Sequence, residues 1–121
     1  SSELEVNGNI ETTTITYSSD KKWKKNIHTI EDSLEKILAL RGVTYDWRVD
    51  EFVEKNFSTD KQIGLIAQEV EEVFPEVVRN AGDGKSVNYA ALVAPLIEAV
   101  KAQQVQIEEL KNEVKLLKGK K

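Results

Sequence analysis

SVNYAALVAPLIEAVKAQQVQIEELKNEVKLL, running from Ser86 to Leu117, is the stretch whose reading decides the fold. Heptads laid along it put Val93, Val100, Ile107 and Val114 at one seam position, and Leu96, Gln103, Leu110 and Leu117 at the other. Apolar side chains spaced alternately three and four apart make a narrow stripe on a helix. A narrow stripe is buried best by another copy of itself. The positions between are largely Glu, Lys, Gln and Asn, as a wetted outer face requires. The pattern lasts about four heptads, the length at which a coiled coil is a sound reading. The competing reading is one amphipathic helix packed on its own domain, since globular helices also carry short heptad-like runs. Self-association is the reading preferred here.

β-branched residues at the first seam position and Leu at the second lean towards two strands. Gln103 interrupts the seam with an amide, which costs stability and fixes register. Pro95 lacks a backbone donor and clashes with a preceding helical turn, so the helix either kinks near Ala94–Pro95 or properly begins there.

With 121 residues, 40% of them hydrophobic, the chain is one small domain plus an extension. A net charge of −4 makes the whole molecule a poor ligand for nucleic acid. It has no cysteine and one histidine, which excludes disulfides and thiolate chemistry and argues against structural zinc. No cofactor or metal is expected. No apolar run approaches a membrane span, and the first residues lack a signal-peptide pattern.

Three segments are expected: 1–18 as extended chain, 19–85 as a small α+β body, and 86–121 as the long helix. In the first, Asn7-Gly8 signals a turn, and Glu11 to Tyr17 is β-branched with period two, predicting a short strand. It has no evident partner in its own domain, as if it ended something larger upstream. Thr29 to Arg41 reads as a helix with Thr29 and Asp32 in a capping box, Gly42 as its stop, and Ile30, Leu34, Ile37 and Leu38 buried. Val43 to Val49 alternates as a strand with Val43, Tyr45, Trp47 and Val49 inward. Residues 50–60 form a polar loop from which Phe52 and Phe57 dip back. Lys61 to Ile66 is a second strand, Ala67 to Phe74 a helix ended by Pro75, and 77–87 a small hairpin.

Between Ser18 and Ile27 stand four lysines, Lys21, Lys22, Lys24 and Lys25, with Trp23 among them. Basic groups with an aromatic can hold phosphate and stack on bases. A solvated basic turn with Trp23 tucked beneath it is the simpler reading. A third is chemical: a serine hydroxyl needs a base, and a lysine amine serves once burial or neighbouring cations lower its pKa. Ser19 and Lys24 lie about 140° apart on a regular helix, so they meet only if the chain turns between them. His28, with Asp20 or Asp32 behind it, is a weaker candidate base. Glu69, Glu71 and Glu72 read as a wet helix face, since residues two apart point apart.

Ser19-Asp20-Lys-Lys-Trp-Lys24-Lys-Asn26-Ile27 resembles the Ser-Asp-x-x-x-Lys-x-Asn-Ile signature that opens the intramolecular chaperone domain of phage tail spikes and fibres. These are the S74 peptidases, best known from the endosialidase tail spikes. Gly64 to Val70 with Phe74-Pro75-Glu76 looks like the family's central block. Val87-Asn88-Tyr89, leading to Leu92, Pro95 and Leu96, looks like its helix start. The resemblance covers Ser19 to about Leu117, with Trp23 where leucine is commoner.

The resemblance implies a homotrimer that aligns and folds the upstream fibre segment of the same polypeptide, then cuts itself free. Ser19 would be the nucleophile, Lys24 its base, and Ser18–Ser19 the bond broken. Asp20 and Asn26 would support the turn or the oxyanion. The eight seam residues would clamp a trimer rather than a dimer. Partners would be the other copies and the fibre, with neither nucleic acid nor membrane, in a virion tail precursor assembled in the host cytoplasm. A trimerisation and folding module that never cuts is the alternative.

Overall fold

The computed structural model describes residues 3–120; the first two residues of the expected N-terminal segment lie outside them. Two compact units share the chain: Ser1–His28 with Val43–Gly64, and Thr29–Gly42 with Leu65–Lys121.

In the first unit, residues 3–18 carry neither helix nor strand. The strand expected over Glu11 to Tyr17 does not form, because β-branched alternation supplies propensity but no ladder partner. Strand β1, Val43–Tyr45, pairs antiparallel with β2, Gln62–Gly64, setting Thr44 opposite Ile63. The expected strand to Val49 stops early because the Val49 N–H donates to the Trp47 carbonyl at 2.9 Å and curls the backbone. Trp47 still packs: its ring meets Tyr45 edge-on at 5.1 Å and stacks on Phe57 at 4.2 Å. Phe57 returns to the fold as expected, whereas Phe52 is 43% exposed.

The second unit holds helix α1, Ser33–Leu38; helix α2, Ala67–Val73; the hairpin β3, Val78–Ala81, with β4, Gly84–Val87; and helix α3, Val93–Lys118. Its core is Val70, Phe74 and Leu92, ringed by Ile37, Leu40, Leu65, Val73, Val77, Val78 and Val87. Helix α1 is shorter than the expected Thr29–Arg41. Asp32 sits at φ 57°, a left-handed conformation that a helix cannot run through, so α1 begins after it and Thr29 is no cap. Helix α2 and the hairpin fall where expected, with Gly82 at φ 58° in the hairpin turn.

Helix α3 settles where Pro95 belongs. A 3-10 turn, Tyr89–Leu92, runs straight into it, and Pro95 lies in the first turn of α3. The first four N–H groups of a helix have no intrahelical acceptor, so the missing donor costs nothing there.

Helices α1 and α3 pack together, and Leu92 just before α3 continues into a stripe of Pro95, Ala99 and, in part, Ala102 that is buried in the same unit. That stripe also has three-four spacing, but it is offset by one residue from the predicted seam. The seam's apolar members stay in water, from Ile107 at 45% exposed to Leu117 at 69%. The fold is α+β, with two small antiparallel sheets, short helices and one long final helix.

Candidate functional site: a serine and a lysine across a capped turn

The chemistry-bearing residues meet at one turn in the first unit. Asp20 is extended, at φ −65° and ψ 135°, and its carboxylate accepts the Lys22 N–H at 2.9 Å. Asp is a favoured N-cap because its short carboxylate reaches back to an orphan donor. Capped in this way, Lys21–Trp23 closes a 3-10 turn, with the Trp23 N–H on the Asp20 carbonyl at 3.1 Å and the Lys24 N–H on the Lys21 carbonyl at 3.0 Å. At Lys24 the backbone is extended again. Only three residues are helical, and the backbone is extended at both Asp20 and Lys24, so the offset of a regular helix does not apply to residues 19 and 24. Lys24 Nζ donates to Ser19 Oγ at 2.6 Å.

That distance suits proton transfer, which requires heavy atoms about 2.6–3.2 Å apart. Once the ammonium gives up a proton, the same contact reverses and the amine can take the hydroxyl's hydrogen. Every residue from Ser18 to Ile30 is exposed, including Ser19, Lys24 and His28. Trp23 is not tucked beneath the basic turn: it is 67% exposed, with Lys22 Nζ 5.1 Å from its ring centre. Asn26 follows at φ 55°, a left-handed conformation that asparagine adopts more easily than most residues.

The second unit holds polar contacts that sequence reasoning missed. The Leu65 N–H donates to the Tyr89 hydroxyl at 3.0 Å, and that hydroxyl donates to the Leu65 carbonyl at 3.4 Å. The Asn88 N–H donates to the Val77 carbonyl at 2.7 Å, and its side chain accepts the Ala91 N–H at 3.3 Å. The central block and the helix-start block are thus joined at the point where the long helix leaves the core. Tyr89→Phe is expected to lower stability by about 1 kcal/mol, the usual size of one neutral hydrogen bond, read as a lower denaturant midpoint with an unchanged slope.

Arg41 reaches Glu69 through two hydrogen bonds, both 2.9 Å. Glu69 is therefore not simply part of a wet face. Hydrogen bonds from Arg41 hold the Glu69 carboxyl below its ordinary 4.5; desolvation opposes them, and the charge of Arg41 adds a smaller lowering effect. A depressed folded pKa means stability that is present above the unfolded value and lost as pH falls through the folded one. Thermal melts of the parent chain and Arg41→Gln should therefore differ at pH 7 and converge as the pH falls well below the ordinary carboxyl value. A gap that persists in acid would rule the pairing out as its source.

Among the described residues no helix is long and apolar enough to cross a membrane, and no group of three or more His, Cys, Asp or Glu residues could hold a metal ion.

Residues 19–79 match the Peptidase_S74 family, described as chaperone of endosialidase, and the match opens at Ser19. The chain is 35% identical over 111 residues to the long tail fiber protein Gp37 of Salmonella phage S16, covering 84% of this chain and 14% of that protein. It is 32% identical to Gp37 of Enterobacteria phage K3 and to Gp37 of Enterobacteria phage T2, each over 88% of this chain. It spans only 9% and 8% of those two proteins. Over half its length and across the motif that carries the serine and the lysine, this chain belongs to the S74 peptidase family, the chaperones of endosialidase.

Proposed function

We propose that the chain is an intramolecular chaperone that brings three copies of a tail-fibre polypeptide into register and then severs itself from them at Ser18–Ser19. The observation that carries the reading is the 2.6 Å contact between Lys24 and Ser19 across a turn capped by Asp20. Relatives named as long tail fiber proteins support the partner in this reading, the upstream fibre segment of the same polypeptide, in a virion tail assembled in the host cytoplasm.

The neutral Lys24 amine removes the Ser19 Oγ proton, and Oγ attacks the Ser18 carbonyl carbon. The tetrahedral adduct collapses with loss of the Ser19 α-nitrogen, which takes the proton from Lys24. The peptide bond has then become an ester between the Ser18 carbonyl and Ser19 Oγ. Water hydrolyses the ester, leaving a Ser18 carboxylate on the fibre and a free α-amine on Ser19. Asp20 and Asn26 act by shaping the turn: one caps it, the other supplies the left-handed residue just after it.

Assembly enters through α3. Its body-facing stripe leaves Val93, Leu96, Val100, Gln103, Ile107, Leu110, Val114 and Leu117 free to meet two other copies. Intertwined fibres fold slowly because strands on separate chains must be brought together before any contact forms. A coiled coil raises the local concentration of the three chains and fixes their stagger. Cutting afterwards uncouples fibre from chaperone and leaves the fibre kinetically trapped.

The exposure of Lys24 favours a second reading, a trimerisation module that does not cut. A lysine amine becomes a base through desolvation or nearby cations, and in the single chain this one lies in water. In the cutting reading a neighbouring chain covers the turn on assembly and supplies the desolvation, which makes cutting a report of finished assembly. Cleavage followed on denaturing gels, for the parent chain and Ser19→Ala joined to an upstream fibre segment, separates the two readings. A cutting chaperone gives a small product that the variant lacks; a passive module gives identical lanes.

A further inference from the structure

The loop between β1 and β2 touches the chain far upstream of the serine. Asn56 Nδ2 donates to the Asn7 carbonyl at 3.1 Å, a contact between residues 49 apart. Asn56 ends the 3-10 turn Val53–Lys55 at φ 55° and ψ 40°, with its own N–H on the Val53 carbonyl at 3.3 Å. Its backbone is thus fixed while its side chain reaches out. Gly8 follows the gripped carbonyl at φ +147°, a conformation that other residues rarely adopt, and a Cβ there would sit 3.6 Å from Asn56 Nδ2. Val6 to Asn9 line one side of a groove whose other side is built from Trp47, Asn56, Phe57 and Gln62. The stacking of Phe57 on Trp47 makes that side rigid.

We infer that the wall built from Trp47, Asn56, Phe57 and Gln62 is a docking surface for the upstream segment that forms the facing wall, and that Asn56 holds this segment in place after it has been cut. The inference rests on the proposed scission at Ser18–Ser19. The gripped carbonyl lies eleven residues upstream of Ser18, so breaking that bond leaves the grip intact. Cutting and departure are then separate steps, the first set by Ser19 and Lys24 and the second by Asn56. Because the acceptor is a backbone oxygen, the side chain of Asn7 is not read, whereas Gly8 is required for its conformation.

The test uses the full chain with a fluorophore at its N-terminus and a protease recognition site replacing residues 12–16, between the groove and Ser19. The added protease makes a cut that does not depend on Ser19, and denaturing mass spectrometry of the unmodified chain reports self-cleavage separately. After cutting, retention of the label on the body is timed by size exclusion. We expect Asn56→Gly, which keeps the left-handed backbone and deletes the amide, to shorten retention about fivefold, the equivalent of one neutral hydrogen bond. Asn56→Asp, which turns a carboxylate towards the carbonyl, should shorten it further, and Gly8→Val should match Asn56→Gly. Asn7→Ala should behave as the parent. Equal retention in the parent and in Asn56→Asp would overturn the inference, as would immediate loss of the label from the parent. An uncut unmodified chain would instead count against the proposed scission alone.

Discussion

Ile107→Asp combined with Leu110→Asp is expected to leave the chain monomeric at concentrations where the trimer proposed for the parent is intact. Both positions lie on the exposed stripe of α3, 45% and 59% exposed in the single chain. Neither belongs to the buried core of the second unit, so the body should keep its fold and its circular dichroism. In a trimer six apolar side chains become six carboxylates in a closed seam. Losing their burial and confining charge there costs on the order of 10 kcal/mol per trimer, far more than a short coiled coil can spare. Sedimentation velocity across a concentration range reads the outcome directly. If the proposed coupling holds, the same variant also stops cutting, although Ser19 and Lys24 are untouched. A variant that is demonstrably monomeric and yet cuts at the parental rate would separate the two activities and remove assembly from the mechanism.

The second large effect falls on the turn itself. Ser19→Ala removes the oxygen proposed to attack and should reduce scission about 10⁴- to 10⁶-fold, the loss seen when a covalent nucleophile is deleted. Lys24→Arg is the more discriminating change. Arginine keeps a positive charge and can still donate to Ser19, but its guanidinium does not give up a proton in proteins. If Lys24 is the base, Lys24→Arg is as inactive as Lys24→Ala. If it merely steadies the turn, Lys24→Arg retains most of the rate. Time courses by quantitative mass spectrometry, with Asp20→Ala as a partial loss through the weakened cap, distinguish the cases.

The long helix, α2 and the hairpin were legible because each depends on local signals: a three-four repeat, a proline stop, and turn residues flanked by β-branched ones. Helix α1 is shorter than its sequence predicts because Asp32, at a capping-box position, takes a left-handed conformation and lets the helix start only at Ser33. Among the described residues, three other than glycine have positive φ, Asn26, Asp32 and Asn56, and all are Asn or Asp. Their type was a usable signal. The Ser19–Lys24 contact was conditional in the sequence, requiring a turn, and the signal for that turn was Asp20 at a cap position. The Arg41–Glu69 pair and the Tyr89–Leu65 contacts were out of reach. They join residues 28 and 24 apart, and their partners are set by how the helices dock. The three-four repeat that stays exposed on α3 was visible, but only the packed structure reveals that a different stripe, Pro95, Ala99 and Ala102 with Leu92 just before the helix, is buried in its own unit.

Native mass spectrometry of this chain extended by an upstream fibre segment tests the central claim most directly, since one spectrum reports both assembly and scission. The account predicts a trimer of fragments that each begin at Ser19, with the upstream piece ending at Ser18, and only uncut trimers for Ser19→Ala. Uncut parental chains, or fragments whose masses place the break at another bond, would contradict it.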